Sequence, residues 1–177
     1  SNLFEIKRQQ ELADLLVKKT FADKVFFTNS GAESVECAIK IARKYGKSIK
    51  DDKFKIVSFS GAFHGRTYGA ISVSSSKKLS EGFEPTLPGV TFLPFNQVSY
   101  LEKGLKNDVC AVIVEPIQGE GGINEVDQNF LIKLKEICEK KNIVLIFDEI
   151  QSGIGRSGKF FAYEYYNLKP DIVTAAK

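Results

Sequence analysis

One histidine, three cysteines and five prolines are all that this chain of 177 residues holds of those types. A single histidine without a Cys-x-x-Cys pair leaves no ligand set for a zinc site. Cys37, Cys110 and Cys138 are odd in number and widely spaced, which fits a reducing cytoplasm better than an oxidising compartment. No apolar run is long enough to span a bilayer. No basic segment followed by an apolar one opens the chain, so nothing marks it for export. Repeats, low-complexity stretches and Ser/Gly linkers are missing too. The net charge of +3 is small and evenly spread, which excludes nucleic acid or an anionic membrane as the expected partner.

What is present is ordinary globular material: 43% hydrophobic and 27% charged residues. A chain of this length suits one domain, residues 1–177, burying roughly two-thirds of its unfolded surface. Apolar runs alternate with helical patterns. "FEIKRQQELADLLVK" carries Leu12, Leu15 and Leu16 at helical spacing, and "KVFFTN" reads as a short strand. In "ESVECAIKIARKYG", Val35, Ala38, Ile39 and Ala42 share a helical face, with Gly46 as its stop. "FKIVSF" and "GAISVS" read as strands, and "EGFEPTLPGVTFLPFN" as a loop punctuated by proline. "VCAVIVEP" is apolar almost throughout. Asp127 caps a helix whose Phe130, Leu131, Leu134, Ile137 and Cys138 align, and "IVLIFDE" and "DIVTAA" complete the set. Strands that are apolar at successive positions have both faces covered. With helices between them, the expected class is α/β, a mainly parallel sheet with helices on both faces.

Ligands of such sheets gather at the carboxyl ends of the strands, which directs attention to the residues after each run. In "TNSGAES" a tight turn enters a helix, a place where free N–H groups and the helix dipole suit a phosphate. Ser30 and Glu33 equally form a capping box, and the two readings are compatible. In "LIFDEIQSG", Asp148 and Glu149 end a buried strand. That pattern fits the acidic strand of an ATPase, but the phosphate loop such an enzyme needs is missing. Asp148 otherwise needs a cation, from a cofactor or from a neighbouring side chain. "SGAFHGRT" brings Phe63, His64 and Arg66 into one turn, each with a plain packing or surface reading beside a functional one. Lys177 follows small residues at a strand end, an enclosed setting of the kind that suits an imine-forming amine, beside the plain reading of a chain-end lysine reaching into solvent.

Together these segments resemble the class III aminotransferases, closest to their acetylornithine and ornithine branch. The likeness runs in order through "SNLF", "FFTNSGAES", "AIKIARKYG", "AFHGRT", "CAVIVEPIQGEGG", "LIFDEIQSGIGRSGKFFAYE" and "PDIVTAAK". The resemblance implies the large domain of the aspartate aminotransferase-like fold and pyridoxal 5'-phosphate as cofactor. It also implies an amino acid and a 2-oxo acid as substrates, N-acetylornithine or ornithine with 2-oxoglutarate, with succinylornithine and 4-aminobutyrate as alternatives within the class, and a homodimer when complete. Lys177 matches the lysine that holds the cofactor and moves the substrate proton, and Asp148 the acid that pairs with the pyridine nitrogen. Ser30, Gly31 and Ala32 match the phosphate turn, Phe63 and Ile150 the residues on the two ring faces, and Gln151 the side chain near the phenolic oxygen. Glu149 falls among the cofactor-binding positions, Arg66 matches the carboxylate ligand of the substrate, and Glu120 the acid that pairs with a downstream arginine. His64 and Glu115 are given only a supporting position. Family members are more than twice as long, so the resemblance implies a partial large domain, without the small C-terminal domain and inert by itself.

Overall fold

The computed structural model describes residues 3–177, so Ser1 and Asn2 of the "SNLF" segment lie outside the described residues. Five parallel strands form the sheet: β1 (Lys55–Phe59), β2 (Val90–Leu93), β3 (Val109–Val114), β6 (Val144–Asp148) and β7 (Ile172–Thr174), in the order β2-β1-β3-β6-β7. The strands β4 (Ile117–Gln118) and β5 (Asn124–Glu125) make a separate antiparallel hairpin. Among the described residues the α-helices are α1 (Lys7–Lys19), α2 (Gly31–Ile49), α3 (Tyr68–Val73), α4 (Lys77–Ser80), α5 (Leu101–Gly104) and α6 (Gln128–Lys141).

Alternation along each strand divides the core in two. Val57, Phe59, Val112, Val114, Leu145 and Phe147 face α6, where Phe130, Leu131, Leu134, Ile137 and Cys138 are buried as their spacing predicts. Ile56, Ala111, Ile113, Val144 and Ile146 face the stripe of α2 made by Val35, Ala38, Ile39 and Ala42. Helices thus cover both faces, and the hydrophobic effect acting on two apolar surfaces holds the sheet between them. Burial pushes the thiol of Cys110 up to about 11 and that of Cys138 up to about 12, so both remain neutral core side chains.

Several expectations need correction. "GAISVS" is not a strand: α3 occupies Tyr68–Val73 and is buried from Gly69 to Val73, and a short apolar run does not reveal its period. "KVFFTN" finds no ladder partner among the described residues and is irregular. The proline-rich segment is not wholly loop, because β2 lies within it as a half-exposed edge strand between Pro88 and Pro94, a position that tolerates such neighbours. Gly46 does not stop α2, which runs on to Ile49. A Cβ on Gly46 would lie 2.4 Å from Cys110 Cβ and 2.3 Å from the Lys53 carbonyl oxygen, so this glycine serves a close helix–strand crossing. Finally, α1 forms as predicted but buries none of its residues, and Leu12 and Leu15 face outward.

Candidate active site

The chain leaves β1 for β2 on one side and returns as β3 on the other. Such a reversal opens a crevice at the carboxyl ends of the strands. A pocket of about 140 Å³ occupies this end of the sheet, lined by Gly31 and Ala32, Phe63 to Gly65, Glu115, Asp148, Ile150, Gln151, Ala176 and Lys177. Five separate segments therefore converge: the start of α2 and the residues after β1, β3, β6 and β7.

The floor is built around Asp148. Its Oδ2 accepts from His64 Nδ1 at 2.7 Å, and its Oδ1 accepts from the Ile150 N–H at 3.1 Å and the Thr174 hydroxyl at 3.0 Å. His64 is itself fixed, its backbone N–H donating to Ser74 Oγ at 2.8 Å while Nε2 faces Ser58 Oγ at 3.4 Å. The expected need of Asp148 for a partner is thus met inside the chain, by the lone histidine. One lone-pair direction of the carboxylate is left for a further donor.

The upper wall is the first turn of α2. Ser30 Oγ accepts from the Glu33 N–H at 3.2 Å, and Glu33 accepts from the Asn29 N–H at 2.6 Å. Ser30 caps the helix, but the expected box does not close, because Glu33 accepts from Asn29 instead of from the Ser30 N–H; Ser30 acts at the cap and does not line the pocket. The amides of Gly31 and Ala32 belong to a first turn that has no intrahelical acceptor. Absent side chains keep this wall close: a Cβ on Gly31 would come within 2.9 Å of Ile150 Cγ2, and one on Gly65 within 3.0 Å of Ala32 Cβ. Gly65 also has φ +122°, a conformation that suits glycine.

Other expected residues fall elsewhere. Glu149 does not face the pocket; it is fully buried on the opposite side, accepting from Ala162 N–H at 2.6 Å, Tyr163 N–H at 2.8 Å and Ser152 Oγ at 3.2 Å. Adjacent residues of a strand point to opposite faces, so only one of the two acids reaches the site. Burial raises the Glu149 carboxyl above its ordinary value, against the pull of those three donors. Arg66 and Glu120 are exposed on turns beside the pocket and do not line it. Lys177 lines the pocket yet is exposed, so the expected enclosure of its amine is not present. Sequence reasoning missed Thr174, Ser58, Ser74 and Glu36 as supports of the site. Glu36 accepts from Thr67 Oγ1 at 2.6 Å and from the Gly69 N–H at 2.8 Å, tying down the turn that carries Arg66. A polar residue at the end of an apolar strand was the available signal for Thr174; the others left none.

The family sequence model for class-III aminotransferases matches residues 1–177. The chain belongs to the class-III aminotransferase family. It is 50% identical to the acetylornithine aminotransferase of Aquifex aeolicus over 178 residues, covering 100% of this chain and 47% of that protein. It is 49% identical to the corresponding protein of Agrobacterium fabrum, with 100% and 45% covered. Among solved structures it is similar to the ornithine aminotransferase of Toxoplasma gondii, with 34% identity and a TM-score of 0.91 over 98% of this chain and 42% of that one. That crystal structure has partial occupancy of PLP at its active site. The chain spans less than half the length of these class-III relatives.

Proposed function

We propose that the whole protein is a pyridoxal 5'-phosphate-dependent aminotransferase that moves an amino group between N-acetylornithine or ornithine and 2-oxoglutarate. The observation that carries this reading is the convergence of Asp148, Lys177 and the α2 amides on one pocket. Had the acid and the amine lain on different sides of the sheet, the reading would have failed. The substrate class rests on the names of relatives at 45–50% identity.

The residues present fit the cofactor. The side chains of Phe63 and Ile150 line the pocket, which suits a flat ring, and the missing Cβ of Gly31 keeps the phosphate-suited amides of α2 against Ile150. Asp148 retains an acceptor direction for a ring N–H. When bound, pyridoxal phosphate supplies an electron sink for negative charge at the substrate α-carbon. Asp148 would hold the proton at the ring nitrogen, kept in orientation by His64 and Thr174. Lys177 would attach the cofactor and move the proton at the substrate α-carbon. Gln151 would stand at the phenolic oxygen, and Arg66 and Glu120 would meet the substrate from the exposed rim. A homodimer belongs to the same reading, supported by the apolar outer residues of α1 and its flanks, Phe4, Leu12, Leu15 and Phe26. A cytoplasmic location is supported by three cysteines kept as free thiols.

The test is to add pyridoxal phosphate to the full-length protein and look for a visible absorption band that borohydride fixes onto Lys177. The protein should then transaminate N-acetylornithine or ornithine, and Lys177→Ala should abolish turnover. Normal turnover in that variant would overturn the assignment.

A further inference from the structure

Glu115 follows the last residue of β3, and Phe63 lies in the turn after β1. The two strands are neighbours, but they belong to opposite directions of winding, so the crevice opens between their ends. Glu115 bridges it. Its side chain is buried at 3% exposure, and its Oε2 accepts from the Phe63 N–H at 3.0 Å. Gly119, in the turn of the β4–β5 hairpin, is the second backbone group that draws the carboxyl down against its burial. Gly119 in turn touches Gln151: a Cβ there would lie 2.3 Å from Gln151 Oε1.

Asp148, the other carboxylate in this pocket, has His64 as its partner. Among the described residues Glu115 forms no ion pair. The charged and titratable side chains that line the pocket with it are His64, Asp148 and Lys177. Burial of a carboxyl group without a cation is costly. A residue serving only to fill this space would be better made apolar, and one receiving a single N–H needs only a neutral acceptor. What a carboxylate offers here is two acceptor oxygens for amides on two different turns.

We propose that Glu115 is a positioning residue that clasps the Phe63 turn and the Gly119 turn across the crevice, setting Phe63, His64 and Gln151 around the cofactor. This rests on the aminotransferase reading and deepens it. Phe63 is held by its own N–H, His64 is the next residue along, and Gln151 packs against Gly119. One carboxyl group therefore sets three pocket-lining side chains that come from different segments.

The experiment compares full-length wild type with Glu115→Gln and Glu115→Ala in two arms. The first measures amide hydrogen exchange in cofactor-free protein. Exchange should quicken at Phe63 and Gly119 in Glu115→Ala. In Glu115→Gln it should quicken at one of them, because an amide side chain offers one acceptor oxygen. The second arm titrates pyridoxal phosphate by its visible absorbance and records the induced circular dichroism of the bound band, which reports a fixed ring orientation. Affinity should fall by about tenfold or more in Glu115→Ala, with a weakened dichroic band, and Glu115→Gln should recover part of both. Wild-type exchange at both turns with wild-type affinity and dichroism in Glu115→Ala would overturn the proposal. Faster exchange spread along β1 and β3 would mark a packing residue and overturn it as well. Should Glu115→Ala fail to fold, Glu115→Gln carries the test, and wild-type behaviour in both arms overturns it. If wild type takes up no pyridoxal phosphate, the aminotransferase reading fails, while the exchange arm still tests the clasp.

Discussion

The ends of β6 and β3 present two acids to the same pocket and treat them differently. At the end of β6, Asp148 is surrounded by three donors, one of them the imidazole of His64. At the end of β3, Glu115 receives the Phe63 N–H, and burial pushes its carboxyl up to about 7 despite the pull of that donor and of His64. One strand end surrounds its acid with three hydrogen-bond donors; the other buries an acid whose charge state is undecided near neutrality. Placement at a strand end therefore does not by itself decide what a carboxylate can do. The donors around it do.

The strongest way to break this contrast is to remove Asp148. Asp148→Ala leaves the His64 imidazole and the Thr174 hydroxyl buried without their acceptor, and unmade buried hydrogen bonds cost about 1–3 kcal/mol each. Turnover in the full-length protein should fall by about 100-fold or more, since a preorganised charge beside the reacting system is lost. Denaturant melts and steady-state rates check the two effects. A variant with wild-type stability would show that His64 does not depend on Asp148.

Glu149 sharpens the contrast from the other side of the sheet. Glu149→Ala strips the acceptor from the Ala162 and Tyr163 amides, and unmade buried hydrogen bonds cost about 1–3 kcal/mol each. A loss of about 2–4 kcal/mol is expected in denaturant melts, with affinity for pyridoxal phosphate unchanged. A selective loss of affinity would return Glu149 to the cofactor site.

How far the sequence reaches follows the same lines. The strands β1, β3 and β6 and the buried faces of α2 and α6 were legible because both sides of the sheet are covered, which leaves unbroken apolar runs and clean helical stripes. The edge strand β2 was hidden by its prolines, and α3 by being too short and too buried to show a period. The leucines of α1 carry a core-like spacing but are not buried by the described residues, because periodicity identifies an apolar face without identifying what covers it. Of the residues singled out by motif resemblance, Asp148, Phe63, Ile150, Gln151 and Lys177 line one pocket. It drew Glu149 along with its neighbour, though side chains alternate along a strand. Ser58, Ser74 and Glu36 act through contacts spanning 6 to 33 residues of sequence, which no helical or strand periodicity encodes.

The smallest expected effect concerns Glu115 and depends on pH. Its folded-state value, about 7, lies above the ordinary 4.5, with burial as the main cause. Below pH 4.5 both folded and unfolded chains hold this proton. As pH rises from there the unfolded chain releases it first, so ionisation favours unfolding until the folded carboxyl also titrates. The stability Glu115 contributes is therefore full below about 4.5 and lost as pH rises through about 7. Glu115→Gln cannot lose it. Apart from a constant offset for the altered clasp, the variant should gain on wild type by about 1–3 kcal/mol between pH 4.5 and 8, with most of the change complete by pH 7. Thermal or denaturant melts of the two proteins at half-unit pH steps measure the difference directly. A pH-independent difference would mean that Glu115 stays ionised throughout, and burial would then not set its charge state.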